Sequence, residues 1–136
     1  VVVCPHISLM TKDSRAVLPK SVSLSDHVKQ STSLGSLVLG LTIGDFELIR
    51  QGLKDEIIER HRAPLIPFFY EVKDNALNEG AMGCSISGAG PSIFALCQNS
   101  FDAERVGEAM KLVFTRNLIA STLYISSINP EGARLC

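Results

Sequence analysis

Hydrophobic and polar positions follow two different periods along the chain, and their order predicts a mixed fold. Residues 1–4, three valines and a cysteine, form an apolar run typical of a buried strand, and residues 7–10 would continue it beyond a proline. Residues 83–87 alternate between apolar and polar, whereas residues 93–97 are almost wholly apolar, which suits a strand covered on both faces. Residues 118–128 alternate again and predict a last strand.

Apolar residues at helical spacing dominate the first connection. Residues 11–18 predict a single helical turn that a proline ends. Ser25 and Asp26 are predicted to cap a longer helix. The predicted core positions of this helix are Val28, Leu34, Leu37, Val38 and Leu41. Gly35 and Gly40 lower its helix propensity, although they would also let a neighbouring element approach closely.

Two further helices are predicted from their start and stop signals. Asp45 is the predicted cap of the first. The second would begin at Pro67, which suits a first helical position, and end at Gly80. The apolar residues at helical spacing in these two helices are Phe46, Ile49, Leu53, Phe69, Val72 and Ala76.

The last predicted helix has Asp102 as its cap, and Phe101 and Val106 are spaced to form a hydrophobic staple. Its core face is predicted to carry Val106, Met110, Val113 and Phe114. The order of elements is then strand, helices, strand, strand, helix, strand. This is the split β-α-β arrangement of a ferredoxin-like α+β domain, an antiparallel sheet with helices on one face, here with extra helices in the first connection.

The loop between the two central strands consists of Gly88, Ala89, Gly90 and Pro91, and its length predicts a hairpin. Two glycines permit positive φ angles and let another group approach the backbone. From this loop alone, a plain turn without a ligand is favoured, because Gly/Pro loops mostly only reverse the chain. The alternative is a loop that packs against, or shapes, a phosphate site.

Composition excludes some classes of function. The 136 residues suffice for one domain, with 46% hydrophobic residues, 20% charged residues and a net charge of -1. A chain without a basic surplus is a poor candidate for binding nucleic acid. No apolar run reaches the ~18–20 residues that span a bilayer. The charged run 54–62 is interpreted as a solvated helix face.

The spacing of cysteine and histidine residues predicts no metal site. Cys4, Cys84, Cys97 and Cys136 form no C-x-x-C pair, and the histidines are scattered. The cysteines are therefore interpreted as reduced core thiols, which predicts a cytoplasmic protein.

Four segments of the chain resemble one family of small-molecule kinases. Residues 83–92, Gly-Cys-Ser-Ile-Ser-Gly-Ala-Gly-Pro-Ser, are similar to the third motif of the kinases named for galactokinase, homoserine kinase, mevalonate kinase and phosphomevalonate kinase, the GHMP kinases. Within that superfamily, residues 11–19, 62–67 and 129–134 resemble homoserine kinase.

The resemblance implies an enzyme that transfers the γ-phosphoryl group of ATP to the side-chain hydroxyl of L-homoserine, in threonine biosynthesis and with Mg²⁺. Residues 1–136 would be its C-terminal domain. An N-terminal domain absent from this chain would carry the ATP-cradling motif, and ATP and Mg²⁺ would be bound mainly by that domain. We therefore expect this chain alone to be inactive and its N-terminal domain to be its partner. We expect it to bind neither a nucleic acid nor a membrane. A homodimer stays open, and no catalytic residue is assigned.

The resemblance also assigns site residues position by position. Thr11, Arg15 and Arg62 would bind homoserine, since arginine holds a carboxylate with a planar pair of donors. From chemistry alone, both arginines would more simply be exposed surface charges. The loop residues Gly88, Ala89, Gly90 and Pro91 would pack beneath the phosphate loop of the missing domain, and Ser92 would add a hydroxyl.

Two other functions stay open. One is a non-catalytic ferredoxin-like module that binds a small molecule; the other is the C-terminal half of a mevalonate-type kinase, because mevalonate is also a carboxylate.

Two departures from the family pattern concern local loop shape. Phe68 stands where the family often has glycine, and residues 59–61 lack the proline that commonly follows the glutamate.

Overall fold

The structure is a computed structural model that describes residues 1–132. Its strands are β1 (Val2–Pro5), β2 (Gly83–Ile86), β3 (Ile93–Leu96) and β4 (Ser121–Tyr124). Its helices are α1 (Thr11–Ala16), α2 (Leu24–Ile43), α3 (Phe46–Gly52), α4 (Glu59–Arg62), α5 (Phe69–Asn78) and α6 (Ser100–Arg116), with a 3₁₀ turn at Ala63–Leu65. The end of the 129–134 segment and Cys136 lie outside the described residues.

The strands form one antiparallel sheet in the order β2-β3-β1-β4. Val3 lies opposite both Ile93 of β3 and Leu123 of β4, so the first strand of the chain is a central strand of the sheet. This order confirms the predicted ferredoxin-like arrangement, including the extra helices in the first connection.

The hydrophobic core lies between one face of the sheet and helices α5 and α6. The buried core positions predicted on these helices are Phe69, Val72, Ala76, Val106, Met110, Val113 and Phe114. Burying one large apolar side chain contributes about 1.5–3 kcal/mol. On β3, Ile93 and Ala95 face this core, whereas Phe94 and Leu96 are only half-buried. The prediction that this strand is covered on both faces is wrong, because α5 and α6 pack on one face.

Two predicted strand segments are shorter in the structure. Residues 7–10 are not a strand, since the Ile7 amide donates to the Pro5 carbonyl oxygen at 2.9 Å and turns the chain out of the sheet. Only residues 121–124 of the predicted last strand are in the sheet. Its partner β1 offers four residues for pairing, and a ladder ends where its partner strand ends.

Helix α2 begins earlier and packs through other residues than predicted. Its cap is Ser23, whose hydroxyl oxygen accepts from the Asp26 amide at 3.0 Å, so the predicted cap at Ser25 and Asp26 is wrong. Four of the predicted core residues are more than half exposed, namely Val28, Leu34, Val38 and Leu41. The buried positions of α2 are Ser33 and Gly40.

Helices α2 and α3 approach each other through glycines. A Cβ at Gly40 would lie 2.8 Å from the Ile49 amide nitrogen, and a Cβ at Gly52 would overlap the backbone of Leu37. The close approach expected at Gly40 is therefore confirmed. Gly35 plays no such part, because nothing lies within 4 Å of the place that a Cβ would take there.

The helix caps are partly as predicted. Asp45 caps α3, and its carboxylate accepts from two amides of the first turn. Helix α6 is capped by Asn99, whose side-chain oxygen accepts from the Asp102 amide at 2.9 Å, so the cap predicted at Asp102 is wrong. Phe101 is 70% exposed, and the predicted staple is therefore also wrong.

Helix α5 begins at Phe69, two residues after the predicted start at Pro67. The residue between them, Phe68, has a left-handed backbone with φ +60°. Glycine adopts this conformation without the steric cost that a Cβ brings. The path of the chain at Phe68 is therefore one that suits the glycine common in the family. Gly80, with φ +98°, ends the helix as predicted.

Candidate functional site

Arg62, the last residue of α4, joins two segments that are distant in sequence. Its Nε donates to the Ser14 carbonyl oxygen at 3.1 Å, and its Nη1 donates to the Gly88 carbonyl oxygen at 2.8 Å. Ser14 lies in α1 directly before Arg15, and Gly88 lies at the tip of the β2–β3 hairpin. The arginine therefore brings together the three segments that carry the predicted site residues.

The hairpin loop is held by its own backbone. The Ser87 amide donates to the Ser92 carbonyl oxygen at 2.8 Å, and the Gly90 amide donates to the Ser87 carbonyl oxygen at 3.0 Å. Gly88 and Gly90 have φ angles of +60° and +81°, as two glycines in this turn allow. A Cβ at Gly90 would lie 3.0 Å from the Ile66 side chain, so the loop also packs on the segment after α4.

The other predicted site residues lie around this contact. Thr11 and Arg15 are exposed on α1. Within residues 1–132, the Arg15 guanidinium makes no hydrogen bond or ion pair, so its donors are free to meet a ligand. The loop residues after Gly88 are Ala89, Gly90, Pro91 and Ser92, and all four of them are half-buried.

Glu59 is a buried charge that sequence reasoning missed. It is 7% exposed, and each carboxylate oxygen accepts one bond, Oε2 from the Ser85 hydroxyl at 2.6 Å and Oε1 from the Lys73 ammonium at 2.5 Å. The interpretation of residues 54–62 as a solvated helix face is wrong, because only Glu59–Arg62 is helical and only Lys54 and Arg60 in this run are fully exposed. No local signal could have identified Glu59, because Ser85 and Lys73 lie 26 and 14 residues further along the chain.

The cysteine beside this network is a buried thiol. Cys84, beside Ser85 in β2, is 1% exposed, and burial raises the pKa of its thiol to about 12. Burial also raises the pKa of the Cys97 thiol. The three cysteines of the described residues are free, but only Cys84 is a core thiol, since Cys4 and Cys97 are half-buried.

A cavity of about 450 Å³ lies away from the predicted site. Its walls include Val1, Cys97 and Asn99, at the end of β3 opposite the glycine loop. None of the residues predicted to bind homoserine lines it. We therefore assign it no part in the site built around Arg62.

A metal site needs several ligating side chains close together, and a membrane span needs a long apolar helix. Among residues 1–132, no group of three or more His, Cys, Asp or Glu side chains is arranged to hold a metal ion. In the same part of the chain, every helix is too short or too polar to cross a bilayer. We therefore assign no residue among 1–132 to a metal.

Known proteins match this chain along nearly its whole length. The family model described as GHMP kinases C terminal matches residues 36–115. The homoserine kinase of Chlorobium phaeobacteroides (strain BS1) is 46% identical over 133 residues, which make up 96% of this chain and 42% of that protein. The homoserine kinase of Prochlorococcus marinus (strain MIT 9215) is 42% identical over 134 residues, 98% of this chain and 42% of that protein. The chain thus spans about two fifths of the length of these curated relatives.

A solved structure has the same architecture. The crystal structure of homoserine kinase from Cytophaga hutchinsonii ATCC 33406 matches with a TM-score of 0.93 and 46% sequence identity. The match covers 94% of this chain and 41% of that chain. The fold predicted from the order of elements is therefore also that of an experimentally determined relative.

Proposed function

This chain is a C-terminal domain of the GHMP kinase family, and on that basis we propose that it is the substrate-binding half of a homoserine kinase. The intact enzyme would transfer the γ-phosphoryl group of ATP to the side-chain hydroxyl of L-homoserine, in threonine biosynthesis. The names of the similar kinases support this acceptor. Phosphoryl transfer depends mostly on positioning and charge stabilisation, so a domain that holds the acceptor contributes directly to the reaction.

The observation that carries the proposal is the double contact of Arg62. It bonds the backbone of α1 next to Arg15 and the backbone of the hairpin tip at Gly88. A binding site for a small amino acid needs such groups within a few ångströms of one another. Arg62 thus joins two segments that resemble homoserine kinase and the hairpin that resembles the third motif of the GHMP kinases.

The chemistry of the two arginines suits the carboxylate of homoserine. Arg62 uses Nε and Nη1 on protein carbonyls, and no residue in the described part of the chain bonds its Nη2. Arg15 is exposed and unpaired among the same residues. Hydrogen bonds from guanidinium groups to a carboxylate are roughly twice as strong as neutral ones. Thr11, on the same helix as Arg15, would add a hydroxyl.

The glycine loop would serve the nucleotide side of the reaction. Residues 88–91 would pack beneath the phosphate-binding loop of the N-terminal domain, and Ser92 would add a hydroxyl. ATP and Mg²⁺ would be bound mainly by that domain, and no step is assigned to a metal on this chain. No catalytic residue is assigned here, and the cytoplasmic location stays a prediction.

Steady-state kinetics of the intact enzyme test the substrate site. Arg15→Ala and Arg62→Ala should each raise the homoserine KM by about ten- to a hundredfold, because a hydrogen bond to a charged group contributes about 1.5–3 kcal/mol. Arg60→Ala is the matched control, since Arg60 is on the same helix as Arg62 but pairs with Asp26 at 3.0 Å. Its homoserine KM should equal that of the wild type. An unchanged KM in both Arg15→Ala and Arg62→Ala would remove the site assignment.

The acceptor and the division of labour need separate assays. The intact enzyme should phosphorylate L-homoserine and not mevalonate. Turnover of mevalonate alone would favour the mevalonate-type alternative, and turnover of neither would favour the non-catalytic module. Residues 1–136 alone should show no ATP-dependent phosphorylation of homoserine, and measurable turnover by them would refute the assignment of the phosphate cradle to another domain.

A further inference from the structure

Glu59 and Arg62 lie at the two ends of the one-turn helix α4, and we propose that Glu59 is a positioning residue for Arg62. Its buried carboxylate fixes the start of α4 on β2 and α5, and this sets the direction in which Arg62 leaves the end of the helix. The inference rests on the proposed function, because Arg62 is assigned there to homoserine.

Each end of α4 is attached to the β2–β3 hairpin by one side chain. Glu59 accepts from the Ser85 hydroxyl at 2.6 Å, and Arg62 donates to the Gly88 carbonyl oxygen at 2.8 Å. The two helix residues and the two hairpin residues have the same separation in sequence. Two points of attachment therefore hold the helix against the hairpin.

Helix α4 depends on such attachments more than the longer helices do. It has four residues, and a helix of this length is not stable on its own. The Asp55 carboxylate accepts from the Ile57 and Ile58 amides directly before the helix, at 3.0 and 2.7 Å, but no side chain accepts from an amide of the helix itself. Glu59 is then the residue of α4 that holds its start on β2 and α5, and Arg62 at the other end has two carbonyl oxygens to keep within reach.

The Glu59 carboxylate is buried and is paired through both of its oxygens. It is 7% exposed, and its second partner, the Lys73 ammonium, belongs to a side chain that is 22% exposed. A buried charge is tolerated when it is paired and fully hydrogen-bonded, and it is unfavourable when one partner is lost. Since each oxygen already accepts a bond, we assign Glu59 an effect through Arg62 and no proton transfer with the substrate.

The test is the homoserine KM of the intact enzyme carrying Glu59→Gln, Arg62→Ala or both. Glu59→Gln keeps the size of the side chain, but its amide NH2 group donates and cannot accept. Either Ser85 or Lys73 would then lose the oxygen that now accepts its hydrogen bond. It should raise the homoserine KM about tenfold, the loss of roughly one charged hydrogen bond, with little change in the ATP KM or in kcat. In the Arg62→Ala background it should have no further effect, because coupled residues are not additive.

A second variant covers the case in which Glu59→Gln does not fold. Ser85→Ala removes one of the two bonds to Glu59 and should raise the homoserine KM in the same direction by a smaller factor. Val113→Ala is the control for lost stability alone, since Val113 is fully buried in α6. It should unfold at lower urea concentration and keep the wild-type homoserine KM.

The outcomes separate this inference from the proposed function. An equal rise in KM in the wild-type and Arg62→Ala backgrounds would overturn the inference, as would an unchanged KM in both Glu59→Gln and Ser85→Ala. If Arg62→Ala raises the KM and the other two variants do not, only the positioning role fails. If Arg62→Ala itself leaves the KM unchanged, the assignment of Arg62 to homoserine fails first and the inference fails with it.

Discussion

The Arg62 guanidinium donates to the Gly88 carbonyl oxygen across 2.8 Å while its Nε reaches the Ser14 carbonyl oxygen at 3.1 Å. One planar group thus bridges two backbone segments from different parts of the chain. Lysine would keep the charge, but its single ammonium lacks the fixed fork of donors that spans both oxygens.

Arg62→Lys should therefore lower the free energy of unfolding by about 1 kcal/mol, the net contribution of one hydrogen bond at a partly exposed position. Urea denaturation measures the difference. Arg60→Lys is the control on the same helix, because a lysine can still pair with Asp26 at the surface and the change should stay within about 0.5 kcal/mol. Equal stability of the two variants would contradict the bridging role.

Gly52→Ala should force α2 and α3 apart and destabilise the protein by about 2 kcal/mol, because the new Cβ would overlap the backbone of Leu37. Gly35→Ala should have the opposite sign. Nothing lies within 4 Å of its Cβ position, and alanine is favoured over glycine in a helix by about 1 kcal/mol. Thermal unfolding compares them, and a Gly52→Ala protein as stable as the wild type would show that the helices can separate freely.

Leu118→Gly should stabilise the protein by about 1 kcal/mol. Leu118 follows the end of α6 with φ +59°, and its side chain is 95% exposed, so the leucine brings strain without burial. The turn itself is kept by the Ile119 amide, which donates to the Phe114 carbonyl oxygen at 2.9 Å. Leu118→Ala retains a Cβ and should gain little. An equal gain in both variants, measured by the urea midpoint, would assign the effect to the leucine side chain instead.

Stability should fall at high pH through the Cys84 thiol. Burial raises its pKa from 9.0 to about 12, so between these values the unfolded chain has lost a proton that the folded chain keeps. Deprotonation then favours unfolding, and this group should lower the free energy of unfolding by about 1.4 kcal/mol per pH unit across that window, with no contribution below it. Urea denaturation from about pH 8 to about pH 11 should show a steeper decline for the wild type than for Cys84→Ala. Parallel declines would contradict the assignment.

Regular periodicity predicted the core, but it could not orient every helix. The core face of α6 was predicted because its apolar residues have helical spacing and polar residues separate them. Helix α2 has no charged residue from Gln30 to Ile43, so its apolar positions do not distinguish the packed face from the open one. The contacts of Gly40 and Gly52 decide its orientation, and they depend on a second helix.

Residue type alone did not identify the cap of α6 or the buried charge of α4. Asn99 and Asp102 are both good helix caps, and only the backbone geometry shows which of them accepts the hydrogen bond. Arg62 was found through its resemblance to a known motif. Glu59 was not, because a charge run looks the same whether or not a distant strand and helix supply partners for one of its members.

The central place of β1 has a consequence for biosynthesis. Both neighbours of β1 follow it in the chain, and the later one, β4, ends at Tyr124. At roughly 5–20 residues per second, a ribosome needs roughly 6–24 s to make the chain between these two strands. During that time at least one edge of β1 has no partner strand, so the sheet of this domain is completed only after β4 has been made.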